Sequence, residues 1–185
     1  MSGREEVRVA LERWEIDTVH SSVGFTVRHM VIAKVHGLFT KWSGTLELDT
    51  LDLCASKVDV KIEAASVDTR DSQRDSHLRS PDFFDVANHP FILFRSTHIE
   101  EGGAKKYRVR GDLTIRGITR ELVLDAAFGG QGKDPWGGHR VGFEATTRVE
   151  RKEFGLQWNT ALEAGGVLVG DTIDVNLQVE AKKAG

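Results

Sequence analysis

Apolar and polar positions alternate along most of this chain. Val23, Phe25, Val27 and His29 alternate with Gly24, Thr26 and Arg28, a period of two that gives a strand one apolar face and one polar or small face. The stretch Trp14–Leu48 carries this pattern onward through Leu38, Phe39, Trp42, Leu46 and Leu48. It reads as two long antiparallel strands, with Gly37 marking a bend or a close backbone approach. Val58, Val60 and Ile62 alternate with Asp59, Lys61 and Glu63, as in a sheet with one wet face. Phe91–Ile99, Tyr107–Ile115 and Glu121–Phe128 read as further strands, the last two separated by a hairpin-like break at Arg116-Gly117-Ile118-Thr119. Val141, Phe143, Ala145, Thr147 and Val149 share one face, as do Ile173, Val175, Leu177 and Val179.

One segment departs from the strand rhythm. Residues 71–79, DSQRDSHLR, are too polar and unbranched for a strand. Asp71 is suited to cap a helix, Asp75 and Arg79 stand at i and i+4, and Ser80-Pro81 ends the segment. Phe83 and Phe84 follow between acids; adjacent aromatics cannot share one face of a strand, so a turn that plugs into an apolar space is expected. The glycine-rich stretches 100–106, 129–139 and 163–171 neither follow a strand into a helix nor match a phosphate-binding fingerprint, and read as interstrand loops.

About eight strands and one short helix make an all-β domain, which closes into a barrel or packs as a sandwich. Closure removes exposed edges, and an eight-stranded barrel holds side chains or one small ligand. Alternation gives an inward set of Phe25, Val27, His29, Val60, Ile62, Phe94, Leu113, Ile115, Phe143, Ala145, Ile173 and Val175, with Phe39, Phe83 and Phe84 near the helix and the mouth. A register error of one residue would invert any strand of this set.

Composition narrows the function classes. The 185 residues suffice for one domain with a sizeable core. Residues 1–12 read as a charged extension in which Val7, Val9 and Leu11 could form a short edge strand, and residues 13–182 as one domain. The 25 basic and 28 acidic residues leave a net charge of -3, which gives no electrostatic reason to expect nucleic acid. A single cysteine, Cys54, forbids an internal disulfide and a multi-cysteine zinc site. The N-terminus carries Glu5, Glu6 and Glu12 without an apolar core, unlike a signal peptide, and no run is long enough for a membrane span. A cytoplasmic location is expected, or a periplasmic or secreted one for a chain trimmed of its leader.

Candidate chemistry is thin. Asp17, His20 and Ser21 resemble triad material, but neighbours on a strand alternate faces and Ser21 has no nucleophile-elbow context. Asp17 and His20 are better read as satisfying backbone groups at a strand boundary. The seven histidines show neither H-x-H nor i, i+4 spacing, so no metal and no catalytic residue is assigned. Arg74 and Asp75 read as a structural ion pair. His29, on an apolar face, is either a hydrogen-bonded core histidine or a polar contact to a ligand headgroup.

Six ordered motifs nonetheless resemble one family. They are Trp14 to Ser21, Phe25 to Met30, Val35 to Phe39, Val67 to Val86, His89 to Ser96 and Gly111 to Arg120. Together they are similar to the YceI-like family, the bacterial lipocalin-like polyisoprenoid-binding proteins, over about Trp14 to Glu180. The resemblance implies an extended eight-stranded antiparallel lipocalin-like β-barrel. It also implies a long apolar pore for a polyisoprenoid or isoprenoid quinone tail, bound as ligand rather than as cofactor.

The leading expectation is therefore a non-enzymatic binder, store or transporter of a long apolar amphiphile. Its partners would be an isoprenoid or other long-chain lipid and, transiently, a membrane; nucleic acid is not expected, and a homodimer is compatible. Two other readings stay open at this point. One is an enzyme on a lipid-like substrate using His20, His29, Arg74 or Asp75; the other is a filled barrel acting through a protein partner.

Overall fold

The computed structural model describes residues 10–163 and 165–185; the N-terminal Val7 and Val9 alternation lies outside the described residues. The strands are β1 (Glu12–Ile16), β2 (Ser22–His29), β3 (Ala33–Phe39), β4 (Trp42–Leu48), β5 (Lys57–Glu63), β6 (Val67–Asp68), β7 (Phe91–Gly103), β8 (Lys106–Ile115), β9 (Ile118–Lys133), β10 (His139–Glu150) and β11 (Val169–Lys183), with one α-helix, α1 (Ser72–Arg79). All pairings are antiparallel, and β1 closes the sheet by pairing with both β4 and β11. Among the described residues no helix is long and apolar enough to cross a membrane.

Among the described residues the eleven strand segments form eight staves, because three staves are each made of two segments; one of these is β5 with β6, which pair with β4 and β3 in turn and are joined through residues 64–66. β1 and β2 both pair with β11, through Ile16↔Ala181 and Ser22↔Gln178, and are one stave bent at residues 17–21. β3 and β4 are a second stave, bent at residues 40–41, since β3 pairs with β2 and β6 while β4 pairs with β1 and β5. The Trp14–Leu48 stretch is thus two strands, each broken once. Gly37 is not the bend. It sits inside β3 opposite Phe25, and its missing side chain makes room for that ring.

β7 to β11 run 10 to 16 residues. At ~3.3 Å per residue the longest of these staves reach roughly 50 Å, beyond the height that nine-residue strands would give. They are this long because several glycines lie in strands rather than in loops. Gly129, Gly130 and Gly132 belong to β9, Gly102 and Gly103 to β7, and Gly170 to β11; the connections shrink to residues 104–105 and 134–138. Arg116 and Gly117, at φ 52° and 72°, make the two-residue β8–β9 turn, for which positive φ at both positions matches the strand twist.

α1 begins where its cap predicts: the Asp71 carboxylate accepts from the backbone N–H of Gln73 and Arg74. The Asp75–Arg79 pair does not form. Asp75 turns inward to accept from Thr69 N and Oγ1 at 2.9 and 2.6 Å, and Arg79 donates to the carbonyls of Ala65 and Val67. The Asp75 choice satisfies buried groups of Thr69, a stronger demand than a solvent-exposed helix pair, and Arg79 is then left to bridge two carbonyls of the preceding segment. The helix and the following turn, which buries Phe83, lie across one end of the barrel. The other end is closed by a separate apolar cluster of Trp14, Leu46, Leu48, Val141 and Ala181.

Candidate functional site

The barrel encloses a cavity of about 770 Å³, within the range of roughly 300–1,000 Å³ typical of small-molecule sites. Its wall is built by alternation. β5 points Val58, Val60 and Ile62 inward and leaves Lys57, Asp59, Lys61 and Glu63 exposed. β2 contributes Phe25, Val27 and His29; β8 contributes Leu113 and Ile115; β10 contributes Phe143 and Ala145; β11 contributes Ile173 and Val175. Phe94 of β7, Phe39 of β3 and the turn residues Phe83 and Phe84 complete the set. All fifteen residues that alternation and the helix–mouth argument place inside do line the cavity. Phe91 does not: it faces outward, with the Lys61 ammonium 3.8 Å from its ring centre.

The lining also contains residues that alternation did not single out. Leu122 and Leu124 of β9 belong to it, and the same period of two that puts Ala126 on this face would have found them. Ile99 has no such signal, because a register shift between Ser96 and His98 inverts the parity of β7 halfway along. Arg151 and Trp158 come from the irregular segment between β10 and β11, where no periodicity operates.

The cavity is polarised end to end. Leu46, Leu48, Leu53, Ile99 and Tyr107 line the closed end, where burial, followed by the nearby Glu101 charge, pushes the Tyr107 phenol above its ordinary pKa. At the opposite end stand Arg28, His29, Thr69, Asp71, Gln73, Arg74 and His77. Arg28, Asp71 and Gln73 are the exposed members of the lining, so the mouth lies between the end of β2 and α1. Aromatic rings form a collar just inside. Phe25 and Phe39 are 5.6 Å apart, Phe39 and Phe84 5.8 Å, and the His77 ring meets Trp158 edge-on at 4.6 Å and Phe83 at 5.1 Å.

Most polar groups at this end are committed to structure. Arg74 donates to Thr69 Oγ1 at 2.7 Å and to Thr69 O at 2.8 Å, rather than pairing with Asp75. Arg151, only 3% exposed, donates to the carbonyls of Gly170, Leu156 and Trp158 at 2.8, 2.6 and 2.9 Å, and so ties the irregular segment to the start of β11. Burial lowers the Arg151 pKa from its ordinary value, against the pull of Asp171. The His29 ring lines the apolar cavity and forms no hydrogen bond with a described residue.

Asp17, His20 and Ser21 lie outside the cavity, at the bend between β1 and β2. Asp17 Oδ1 accepts from Val19 N, Ser21 Oγ exchanges hydrogen bonds with the Glu180 backbone, and Arg140 Nη1 bridges Asp17 Oδ2 at 2.6 Å and Glu180 Oε1 at 2.7 Å. Asp17, His20 and Glu180 bring potential ligand atoms within 4.8 Å of one another, but Arg140 already supplies the positive charge there. The group fastens the bend. The His20 hydrogen bond, then that of Arg140, holds the Asp17 carboxyl well below the usual aspartate range.

A closed antiparallel barrel with an internal apolar cavity and a helix at its mouth defines a β-barrel of the lipocalin type. The chain belongs to the YceI-like family, whose domain model matches residues 14–181. A UPF0312 protein of Pseudomonas syringae pv. syringae (strain B728a) is 38% identical over 161 residues, covering 87% of this chain and 80% of that protein. The crystal structure of a Campylobacter jejuni YceI protein, 31% identical, superposes with a TM-score of 0.74 over 85% of this chain and 90% of that one. A domain of Saccharophagus degradans, described as polyisoprenoid binding and implicated in plant cell wall breakdown, shares the fold at 14% identity. Its TM-score is 0.66, over 94% of this chain and 99% of that one.

Proposed function

We propose that the barrel is a non-enzymatic carrier or store for one long apolar amphiphile of the polyisoprenoid kind, such as an isoprenoid quinone. The tail lies along the barrel axis and the headgroup rests at the mouth. The observation that carries this reading is the cavity itself: mainly apolar from Leu48 to the aromatic collar, apart from Ser56, Tyr107 and Thr147, with charged side chains gathered at the exposed end. Burial contributes roughly 0.8 kcal/mol per CH₂-sized group, so a tail of several isoprene units binds tightly with few polar contacts. His29, Gln73 and Arg28 are the groups at the mouth positioned to meet a headgroup. The polyisoprenoid binding described for the S. degradans domain supports the ligand class. The structural role of two polar candidates fits a holding function, since Arg74 and Asp75 are engaged with Thr69.

Mass spectrometry of the purified protein, native and then after organic extraction, tests the proposal. The expected result is a long-chain isoprenoid at near-unit ratio, released on unfolding. Apoprotein that gains no thermal stability from added quinones or polyprenols would overturn it.

A further inference from the structure

We infer that the tip of the β2–β3 hairpin, together with the adjoining loop that precedes β11, docks on a bilayer containing anionic lipid, so that the cavity exchanges its ligand directly with the membrane. The inference rests on the carrier reading above.

The tip is apolar and exposed. Met30 is 43% exposed, Val31 57%, Ile32 85% and Val167, on the adjoining loop, 41%. The two loops form one patch: Met30 N donates to Leu168 O at 2.9 Å, and the Val31 side chain lies against Gly166. The patch is continuous with the mouth, since His29 and Leu168, which flank its two halves in sequence, both line the cavity. An apolar ligand that leaves the barrel here meets apolar side chains before it meets water.

The turn chemistry is also unusual. Met30 and Val31 have φ of 52° and 66°, a region that glycine, asparagine and aspartate occupy at least cost and that a β-branched residue rarely adopts. Local backbone preference does not explain apolar side chains at these positions.

Charge distinguishes a bilayer from a protein partner. Arg28 and Lys34 face each other directly across β2 and β3, and among the described residues no carboxylate lies within ion-pair distance of either. Like charges opposite one another weaken a hairpin, but they suit an anionic surface. Of the nearby acids, Asp71 is engaged in capping α1 and Glu163 is exposed on the loop. A narrow apolar protrusion flanked by cations has the shape and charge of an element that enters the headgroup region of a membrane.

Co-sedimentation of the full chain with phosphatidylcholine vesicles, with and without phosphatidylglycerol, tests the inference. Binding is expected to be stronger with phosphatidylglycerol and to weaken with added salt. Ile32→Glu should reduce binding about tenfold and Lys34→Gln about fivefold. Val31→Asn separates docking from folding, because it relieves the left-handed strain: it should raise Tm by about 2 °C while lowering vesicle binding. Equal, weak sedimentation with both vesicle types, or variants that sediment like wild type, overturns the inference. So does a dimer that Ile32→Glu converts to monomer without any vesicle binding, which would assign the patch to a second copy of the chain. Uptake of a quinone from detergent micelles is measured in parallel. Its loss in the wild type counts against the carrier reading alone, and the two failures stay distinguishable.

Discussion

The ring of Phe25 lies over Gly37, its direct partner across β2 and β3, so closely that a Cβ at residue 37 would sit 2.7 and 2.8 Å from two of its ring atoms. The glycine leaves a slot in the wall, the ring fills it, and the same ring lines the cavity near the mouth. Wall packing and cavity shape are therefore one property at this position. Gly37→Ala is expected to cost about 1–3 kcal/mol through overpacking and to push the ring into the cavity. Thermal unfolding and ligand uptake should fall together, and adding Phe25→Leu should restore much of both. Unfolding of the single and double variants, with uptake measured alongside, checks this; a single variant as stable as wild type would show that the wall yields instead.

Ala145 occupies the middle of β10, between Ala126 and Leu177 on the neighbouring staves, and lines the cavity where the wall is thin in side chains. Ala145→Trp should fill that space from within. The barrel should remain folded by circular dichroism, while extracted lipid per protein falls to near zero. Lipid retained at the wild-type ratio would contradict a ligand path through this part of the barrel.

Arg151 is a buried cation bound chiefly to backbone carbonyls. Arg151→Met should leave those carbonyls unpaired and destabilise the protein by about 3 kcal/mol or more, with faster amide exchange in residues 155–168 than elsewhere. Uniform exchange across the barrel would assign Arg151 a global rather than a local role.

The bend network predicts acid sensitivity. Asp17 is held below its ordinary pKa by His20 and then Arg140, and Asp134 by the Gly138 backbone N–H and then Arg140. Each depressed carboxyl stabilises the fold fully above the unfolded aspartate pKa of ~3.9, and that stability is lost as pH falls through the folded value. Urea unfolding at pH values from neutral down to about 3 should show stability falling at the acid end. Asp17→Asn should flatten that fall and lower stability at neutral pH.

Legibility in the sequence followed the length scale of each interaction. Phe25, Val27 and His29 were readable because β geometry sends alternate side chains to opposite faces whatever surrounds them, and Asp71 because a cap acts within three residues of itself. Gly37 was readable as a close approach, but its partner was not. Ile99 was hidden by the β7 bulge, and Asp75 and Arg79 were misplaced as partners because buried backbone groups nearby outweighed a local pair.

The sequence by itself determined the all-β class, the position of the one helix and which side chains of most staves face inward, since these depend on period, caps and turn residues. Only the tertiary structure decided where the staves bend, which end of the cavity opens and which polar groups are tied up. Those outcomes come from pairs such as Arg140 with Asp17, 123 residues apart, and Ser21 with Glu180, 159 apart. Closing a barrel brings together residues whose separation along the chain carries no local signal, and the desolvated groups then take whichever partners closure places within reach.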